Sequence, residues 1–243
     1  MKAMIMAAGL GTRLKPFTDN HPKALFFYEG KTLLQHALEH LETYGIKDVV
    51  INVHHFANQI IEYIELNNNF GLNISFSDES EMLLETGGGL LNARWFFNQE
   101  GAFVLRNVDV ISDLNIREMV AYHQHNHALA TLAVRSRSTS RYLLFNHENR
   151  LTGWENQRTG ERILCRSDER DASDDPKLNI TKRLAFSGIH VIDGQIFDLI
   201  SERGKFSMTD LYLRLAGTRN ILGFEEPGDL WLDVGSSAPG RTE

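Results

Sequence analysis

At 243 residues, 42% hydrophobic and 23% charged, the chain is long enough for one or two domains with a filled core, which excludes a peptide-sized scaffold and a mainly disordered chain. Its 25 Lys and Arg against 32 Asp and Glu give a net charge of −7, so no global positive field draws it to nucleic acid or to an anionic membrane, and a phosphate ligand needs basic groups gathered locally. Cys165, the one cysteine, has no internal disulfide partner and suits a reducing compartment, and no apolar run reaches the roughly 18 residues that cross a bilayer.

In chain order, residues 2–8 read as a buried first strand. The apolar run Ala3 to Ala8 is shorter than a secretory signal and passes straight into Gly-Leu-Gly-Thr-Arg, so the chain is expected to be cytoplasmic. Thr32 to Tyr44 places Leu33, Leu34, Ala37, Leu38 and Leu41 on one helical face, with Gly45 as its stop. Asp48 to Val53 is a second strand, Phe56 to Leu66 a helix carrying Ile60, Ile61 and Ile64, and Asn73 to Phe76 a third strand. Gly89 to Phe97 is expected to be helical, Ala102 to Leu105 a strand, Asn115 to His125 a helix and Ala128 to Val134 a strand. Beyond about residue 140 the texture changes to short strands at Tyr142–Phe145, Arg150–Trp154, Arg162–Leu164 and Arg183–Ile192. A helix within Glu202–Leu215 and strands at Asn220–Phe224 and Leu230–Val234 close the pattern, while Arg166 to Lys177, with five acidic residues, reads as a solvated loop. Strands alternating with helices predict an α/β fold, a mixed and mainly parallel Rossmann-like sheet flanked by helices, with a β-rich extension of the same sheet. No repeat or low-complexity linker divides it, so one domain spanning 1–243 is expected.

Glycines directly after the first strand, in Ala7-Ala8-Gly9-Leu10-Gly11-Thr12-Arg13-Leu14-Lys15-Pro16, let the backbone approach a phosphate. A dinucleotide-binding fingerprint needs a third glycine opening a helix, but Leu14 stands there and Pro16 argues against a helix. Gly30-Lys31-Thr32 imitates the end of a phosphate-binding Walker loop, yet Leu25 occupies the place of its leading glycine. What remains is a glycine turn served by Arg13, whose guanidinium can fork two phosphate oxygens, and by Lys23, a compact charge.

With Gly9 to Arg13, Pro16-Phe17-Thr18, Pro22-Lys23-Ala24-Leu25 and Gly30-Lys31-Thr32 in this order and spacing, the sequence resembles the sugar-1-phosphate nucleotidylyltransferases. The resemblance continues through Leu84-Glu85-Thr86-Gly87-Gly88-Gly89, Phe103 to Asp109, Phe186-Ser187-Gly188-Ile189 and Leu230-Trp231-Leu232-Asp233-Val234-Gly235, covering residues 1 to about 235. It implies a GT-A-like fold with a nucleotide-binding part at 1–135, a sugar-phosphate part at 136–235 and an irregular tail at 236–243. It also implies that Arg13 and Lys23 act on the phosphates, and that Ala7, Ala8, Gly9, Gly11, Thr12, Glu85, Thr86 and Gly87 hold the nucleotide. Asn107, Ser187 and Gly188 would meet the sugar, and Asp109 and Asp233 would bind Mg²⁺, two hard oxygen ligands beside nucleotide phosphates being a set that suits this ion. Gly188 reads equally well as a strand bulge.

The implied reaction joins an NTP, with UTP or GTP favoured, to a sugar 1-phosphate, in a monomer or small homo-oligomer with no nucleic-acid or membrane partner. Rival readings are a nucleotide-sugar-binding regulator without turnover and a cytidylyltransferase for a small phospho-alcohol such as phosphocholine. Three departures from the pattern stand out. Trp154-Glu155-Asn156-Gln157 replaces a Glu-Lys-Pro segment, leaving Lys182 or Arg183 as substitutes for its lysine. Val108 replaces a glycine, and Ser236 to Glu243 is expected to be a shortened, non-helical end. His54, His55, His123, His125 and His127 read as surface or packing residues, and Trp95, Phe96 and Phe97 as core.

Overall fold

The parallel unit is assembled from the most apolar segments of the chain. β1 (Lys2–Met6) leads into three 3-10 turns at Thr12–Leu14, Phe17–Asp19 and Lys23–Leu25, then a hairpin of β2 (Phe27–Tyr28) and β3 (Lys31–Thr32). Next come α1 (Leu33–Thr43), β4 (Asp48–Val53), α2 (Ala57–Leu66), β5 (Asn73–Asp78), α3 (Glu85–Asn92), β6 (Ala102–Asn107), β7 (Val110–Ser112) and α4 (Ile116–His125). The second half carries β8 (Ala130–Arg135), β9 (Arg141–Phe145), β10 (Leu151–Asn156), β11 (Glu161–Leu164), β12 (Lys182–Asp193), α5 (Ile196–Leu199), α6 (Met208–Leu215), β13 (Ile221–Glu225) and β14 (Trp231–Asp233). The structure, a computed structural model, describes residues 1–97, 101–165, 180–226 and 228–235. The acidic segment Arg166 to Lys177 and the tail from Ser236 lie outside the described residues.

One sheet runs β11-β10-β9-β12-β6-β1-β4-β5, and β8 joins it through β12 and carries β13 on its other side. The strands β6, β1, β4 and β5 are parallel, with Met4 beside both Val50 and Leu105. From β12 outward through β9, β10 and β11 the pairing is antiparallel, so the extension shares the sheet of the nucleotide half. Period-two alternation assigns the two faces: Ala3 and Ile5 join α1, α2 and α4, whereas Met4 packs toward α3, α5 and α6. Among the described residues no helix is long and apolar enough to cross a membrane.

Local chemistry explains most boundaries. Thr32 caps α1 by accepting from the Gln35 N–H at 3.0 Å, and Asn115 caps α4 through the Arg117 and Glu118 N–H groups. Gly30-Lys31-Thr32 therefore forms a hairpin strand and a helix cap, with no phosphate loop around it. Two expectations are corrected. α3 starts at Glu85 rather than Gly89, because Phe206 and the Gly204 carbonyl press so closely on Gly87 and Gly88 that packing outweighs glycine's poor helix propensity. Trp95, expected in the core, is exposed on a 3-10 turn while Phe97 is buried, and the helix expected within Glu202–Leu215 is α6.

Candidate active site

The C-terminal ends of β1, β4 and β6 open into a cleft of about 500 Å³ lined by Ala7, Ala8, Gly9, Lys23, Glu85, Thr86, Asn107 and Asp109, among others. This is the edge at which parallel α/β sheets bind ligands. A second cavity of about 500 Å³ lies at the other end of β6, around His123, His127, Asp193 and Arg219, away from the groups that converge here.

Lys23 is brought to the cleft by the 3-10 turn that follows Pro22 and is buried, with its ammonium donating to the Asp109 carboxylate. Gly11 makes this possible: its φ of +62° starts the preceding turn, and a Cβ there would lie 2.8 Å from Lys23 Cβ. Asp233 arrives from the far end of the chain. β14 pairs antiparallel with β7, setting Asp233 opposite Val110, and the Val234 N–H donates to the Asp109 carbonyl at 3.1 Å. Arg13 lies at the rim with its guanidinium 3.9 Å from Asp233. A Cβ on Gly235 would sit 2.5 Å from Lys23 Nζ, 3.1 Å from Asp233 Oδ1 and 3.3 Å from an Arg13 guanidinium nitrogen. One carboxylate and two cations thus converge on one glycine, with Asp109 joined to them through Lys23, and a hard divalent cation fits the two carboxylates with phosphate and water oxygens completing its shell. Among the described residues there is no group of three or more His, Cys, Asp or Glu arranged as an all-protein metal site.

Two side chains that sequence reasoning missed organise the nucleotide wall. Asn52 Oδ1 accepts from the N–H groups of Ala7 at 2.6 Å and Ala8 at 3.3 Å, and its amide donates to Glu79 Oε1 at 2.7 Å. Glu79, buried, also accepts from the Leu84 N–H at 3.0 Å and so ties the entrance of α3 to β4. The Ala7 and Ala8 N–H groups are therefore engaged by Asn52, while both residues line the cleft. Glu85 and Thr86 line the cleft, with Glu85 3.2 Å from Lys205 and the Thr86 hydroxyl accepting from the Met208 N–H. Gly87 is buried against Phe206, while Gly11 and Thr12 form the turn behind Lys23 rather than the cleft wall.

Beneath Asp109 lies a buried cation that the sequence pattern did not single out. The Arg106 guanidinium donates to the Val110 carbonyl at 2.5 Å and to His40 Nδ1 at 2.8 Å. Because Nδ1 accepts, the His40 proton sits on Nε2, which donates to the Leu114 carbonyl at 3.0 Å. Burial, and then the Arg106 charge, hold the His40 pKa at about 4, while burial lowers Arg106 to about 10 against the opposing pull of Asp109. This network grips both sides of the turn that presents Asp109.

The sugar-side expectations divide. Asn107 lines the cleft. Ser187 is fully buried, with its carbonyl accepting from Trp231 Nε1 at 2.9 Å, so its side chain faces the interior rather than a ligand. Gly188, buried at φ +83°, sits where the register of β12 against β8 shifts, and a Cβ there would meet Val110 Cγ2 at 2.6 Å, which favours the bulge reading. Lys182 is engaged by Glu225 and Asn149, and Arg183 by Glu155 at 3.4 Å, so neither substitute for the missing lysine reaches the cleft wall. His54 Nδ1 bonds the Glu79 carbonyl and His123 Nδ1 bonds the Thr131 hydroxyl, packing contacts in both cases.

Residues 2–238 match the sequence profile of the nucleotidyl transferase family, and the chain belongs to that family. It is 29% identical over 237 residues to a mannose-1-phosphate guanyltransferase of Yarrowia lipolytica, with 97% of this chain and 61% of the yeast protein covered. The chain therefore spans about three-fifths of that relative's length. It is 30% identical over 238 residues to the N-acetylmuramate alpha-1-phosphate uridylyltransferase of Caulobacter vibrioides, covering 96% of this chain and 91% of that one. In fold it is similar to HddC from Yersinia pseudotuberculosis complexed with GMP-PN, at a TM-score of 0.74 and 20% identity over 96% of this chain and 93% of the other.

Proposed function

We propose that the chain transfers a nucleotidyl group from an NTP, with UTP or GTP favoured, to a sugar 1-phosphate, releasing pyrophosphate. One observation carries this reading: Asp109 and Asp233, distant in sequence, are joined by the β7–β14 ladder around Lys23 at the mouth of a cleft that begins at Ala7 to Gly9. Family membership and the sugar-1-phosphate relatives support it.

In the transfer, an oxygen of the acceptor phosphate forms a bond to the α-phosphorus of the NTP, and the bond from that phosphorus to the bridging oxygen breaks, so that pyrophosphate leaves with the electron pair. The nucleophile is already an oxyanion, so the protein positions and neutralises anions and removes no proton. Lys23 would exchange its contact with Asp109 for an α-phosphoryl oxygen, and Arg13 at the rim would hold the β- and γ-phosphates and the departing pyrophosphate. Asp109 and Asp233 would hold Mg²⁺, which when bound supplies charge neutralisation and Lewis-acid polarisation of the phosphate. The Asn52–Glu79 network would keep the loop from Ala7 and the entrance of α3 at a fixed separation across the nucleotide.

Pyrophosphate release should be measured with Mg²⁺ across UTP, GTP, CTP, ATP and dTTP, each against mannose 1-phosphate, N-acetylmuramate 1-phosphate, glucose 1-phosphate and phosphocholine. Turnover with one base and one sugar 1-phosphate, abolished by EDTA and restored by Mg²⁺, is the expected outcome. Turnover with phosphocholine alone, or nucleotide-sugar binding with silence across the grid, overturns the reading.

A further inference from the structure

Resting on the transfer reading, the question is which side chain receives the acceptor's phosphate, since two polyanions must share one cleft. The described cations lining that cleft are Lys23 and Arg141. Lys23 is engaged by Asp109, and Arg13 at the rim faces Asp233. Arg141, at the start of β9, is exposed, and among the described residues its guanidinium has no ion-pair or hydrogen-bond partner, only its backbone N–H being bonded to Thr139 Oγ1 at 3.3 Å. A free guanidinium on a cleft wall is a fork without an anion.

The position of Arg141 gives that fork a direction. It also lines a neighbouring cavity of about 200 Å³ formed by Tyr142, Trp154, Phe186, Thr209 and Tyr212, and it is the one described residue common to both cavities. One side of it therefore faces the nucleotide cleft and the other an annex of ring faces and hydroxyls, surfaces that suit a polyhydroxylated ring. Across the β9–β10 ladder Arg141 stands opposite Asn156, which is neutral and accepts from the Arg158 N–H at 3.0 Å, so the facing strand adds no charge at this point.

We propose that Arg141 is the ligand of the acceptor's phosphate, holding two of its oxygens at the seam of the two cavities with the acceptor's ring in the annex, while Lys23 and Arg13 serve the NTP. The protein thus divides its cations between its substrates: two on the donor side and one on the acceptor side.

The test uses Arg141→Ala, Arg141→Lys and the double variant Arg141→Ala/Asn156→Lys, assayed with the active pair from the substrate grid. Arg141 is exposed, so the two single variants are expected to melt with the wild type, whereas Asn156 is buried and the double variant counts as a rescue test once its melt matches that of Arg141→Ala. Arg141→Ala should raise the acceptor KM roughly 10- to 100-fold, the range for losing a hydrogen bond to a charged group, with the NTP KM changed by less than about twofold. Arg141→Lys should recover part of the loss, and a lysine at position 156, on the same face of the ladder, should recover part of it in the double variant. An unchanged acceptor KM, or a parallel rise in both KM values, overturns the assignment. Titration of the Mg²⁺-loaded protein with inorganic phosphate by calorimetry separates this inference from the transfer reading. If no pair in the grid turns over, that reading fails, yet phosphate binding weakened by Arg141→Ala still supports the anion site, whereas absent or unaltered binding overturns it.

Discussion

Lys23 and Asp109 neutralise each other in a buried setting, and this shapes what each can do. Lys23 is buried and Asp109 partly exposed, so either charge left unpaired there carries a desolvation penalty, and the pair holds together until other charges take over its two sides. In the proposed transfer, Asp109 and Asp233 would hold the divalent cation, and the Lys23 ammonium, released from Asp109, would turn to phosphate. Asp109→Asn keeps the shape and the hydrogen bond to Lys23 but removes half of the anionic charge offered to the metal. The expected result is a loss of turnover of at least about 100-fold with the melting temperature within a few degrees of wild type. Initial rates at saturating Mg²⁺ beside a thermal melt check this, and wild-type rates would remove Asp109 from the metal site.

At the scale of elements, the site depends on a strand that closes from the far end of the chain. β14 is three residues long, so its ladder with β7 is reinforced from the side: Trp231 donates to the Ser187 carbonyl, and the Arg137 guanidinium lies 4.1 Å from the indole centroid. β7 in turn rests on β12 at Gly188. Gly188→Ala places a Cβ against Val110 at a φ of +83°, which should cost about 2–4 kcal/mol and lower the melting temperature by roughly 5–10 °C. If Gly188 instead admits the sugar ring to the backbone, the variant melts with the wild type and only the acceptor KM rises, so one melt and one saturation curve separate the two roles. The same elements show what a sequence makes legible. β4 and the helical faces of α1 and α4 follow from local periodicity and caps, and Lys23, Asp109 and Asp233 stand out because they lie in motifs of fixed spacing. Asn52 reads as one polar residue in an apolar strand and Glu79 as a loop carboxylate; their partnership across the Ala7 and Ala8 N–H groups exists only once β1, β4 and β5 lie side by side. The start of α3 was hidden for a related reason, since Phe206, more than 100 positions away, determines what its glycines do. Arg141 carries no motif, and its meaning depends on two cavities meeting at it.

For the molecule as a whole, three histidines are folded away as neutral rings, which sets how stability depends on pH. Burial lowers His40 to about 4, with Arg106 adding to the shift and Asp113 and the Leu114 carbonyl opposing it. Burial lowers His123 to about 4 against the opposing charge of Asp193, and lowers His190, which bonds the Tyr212 hydroxyl, to about 3. In the unfolded chain these rings titrate near 6.5. Above that pH neither state takes up protons at them and their contribution to stability is fully present. As pH falls from about 6.5 toward 4, the unfolded chain binds protons that the folded chain refuses, and each ring removes up to about 1.4 kcal/mol of stability per pH unit. Glu226, whose carboxyl burial raises despite Arg135, works in the opposite direction, because the folded chain takes up its proton more readily than the unfolded chain does. Urea midpoints should therefore hold level between pH 8 and 7 and fall steeply between pH 6 and 5, before the carboxylates that end most folds in acid are protonated. His123→Asn, which keeps a polar partner for Thr131 but cannot titrate, should flatten that descent by about one proton. A midpoint that stays level down to pH 5 would mean that these rings are charged or solvated in the folded state, and that the His40–Arg106 support beneath Asp109 is built differently.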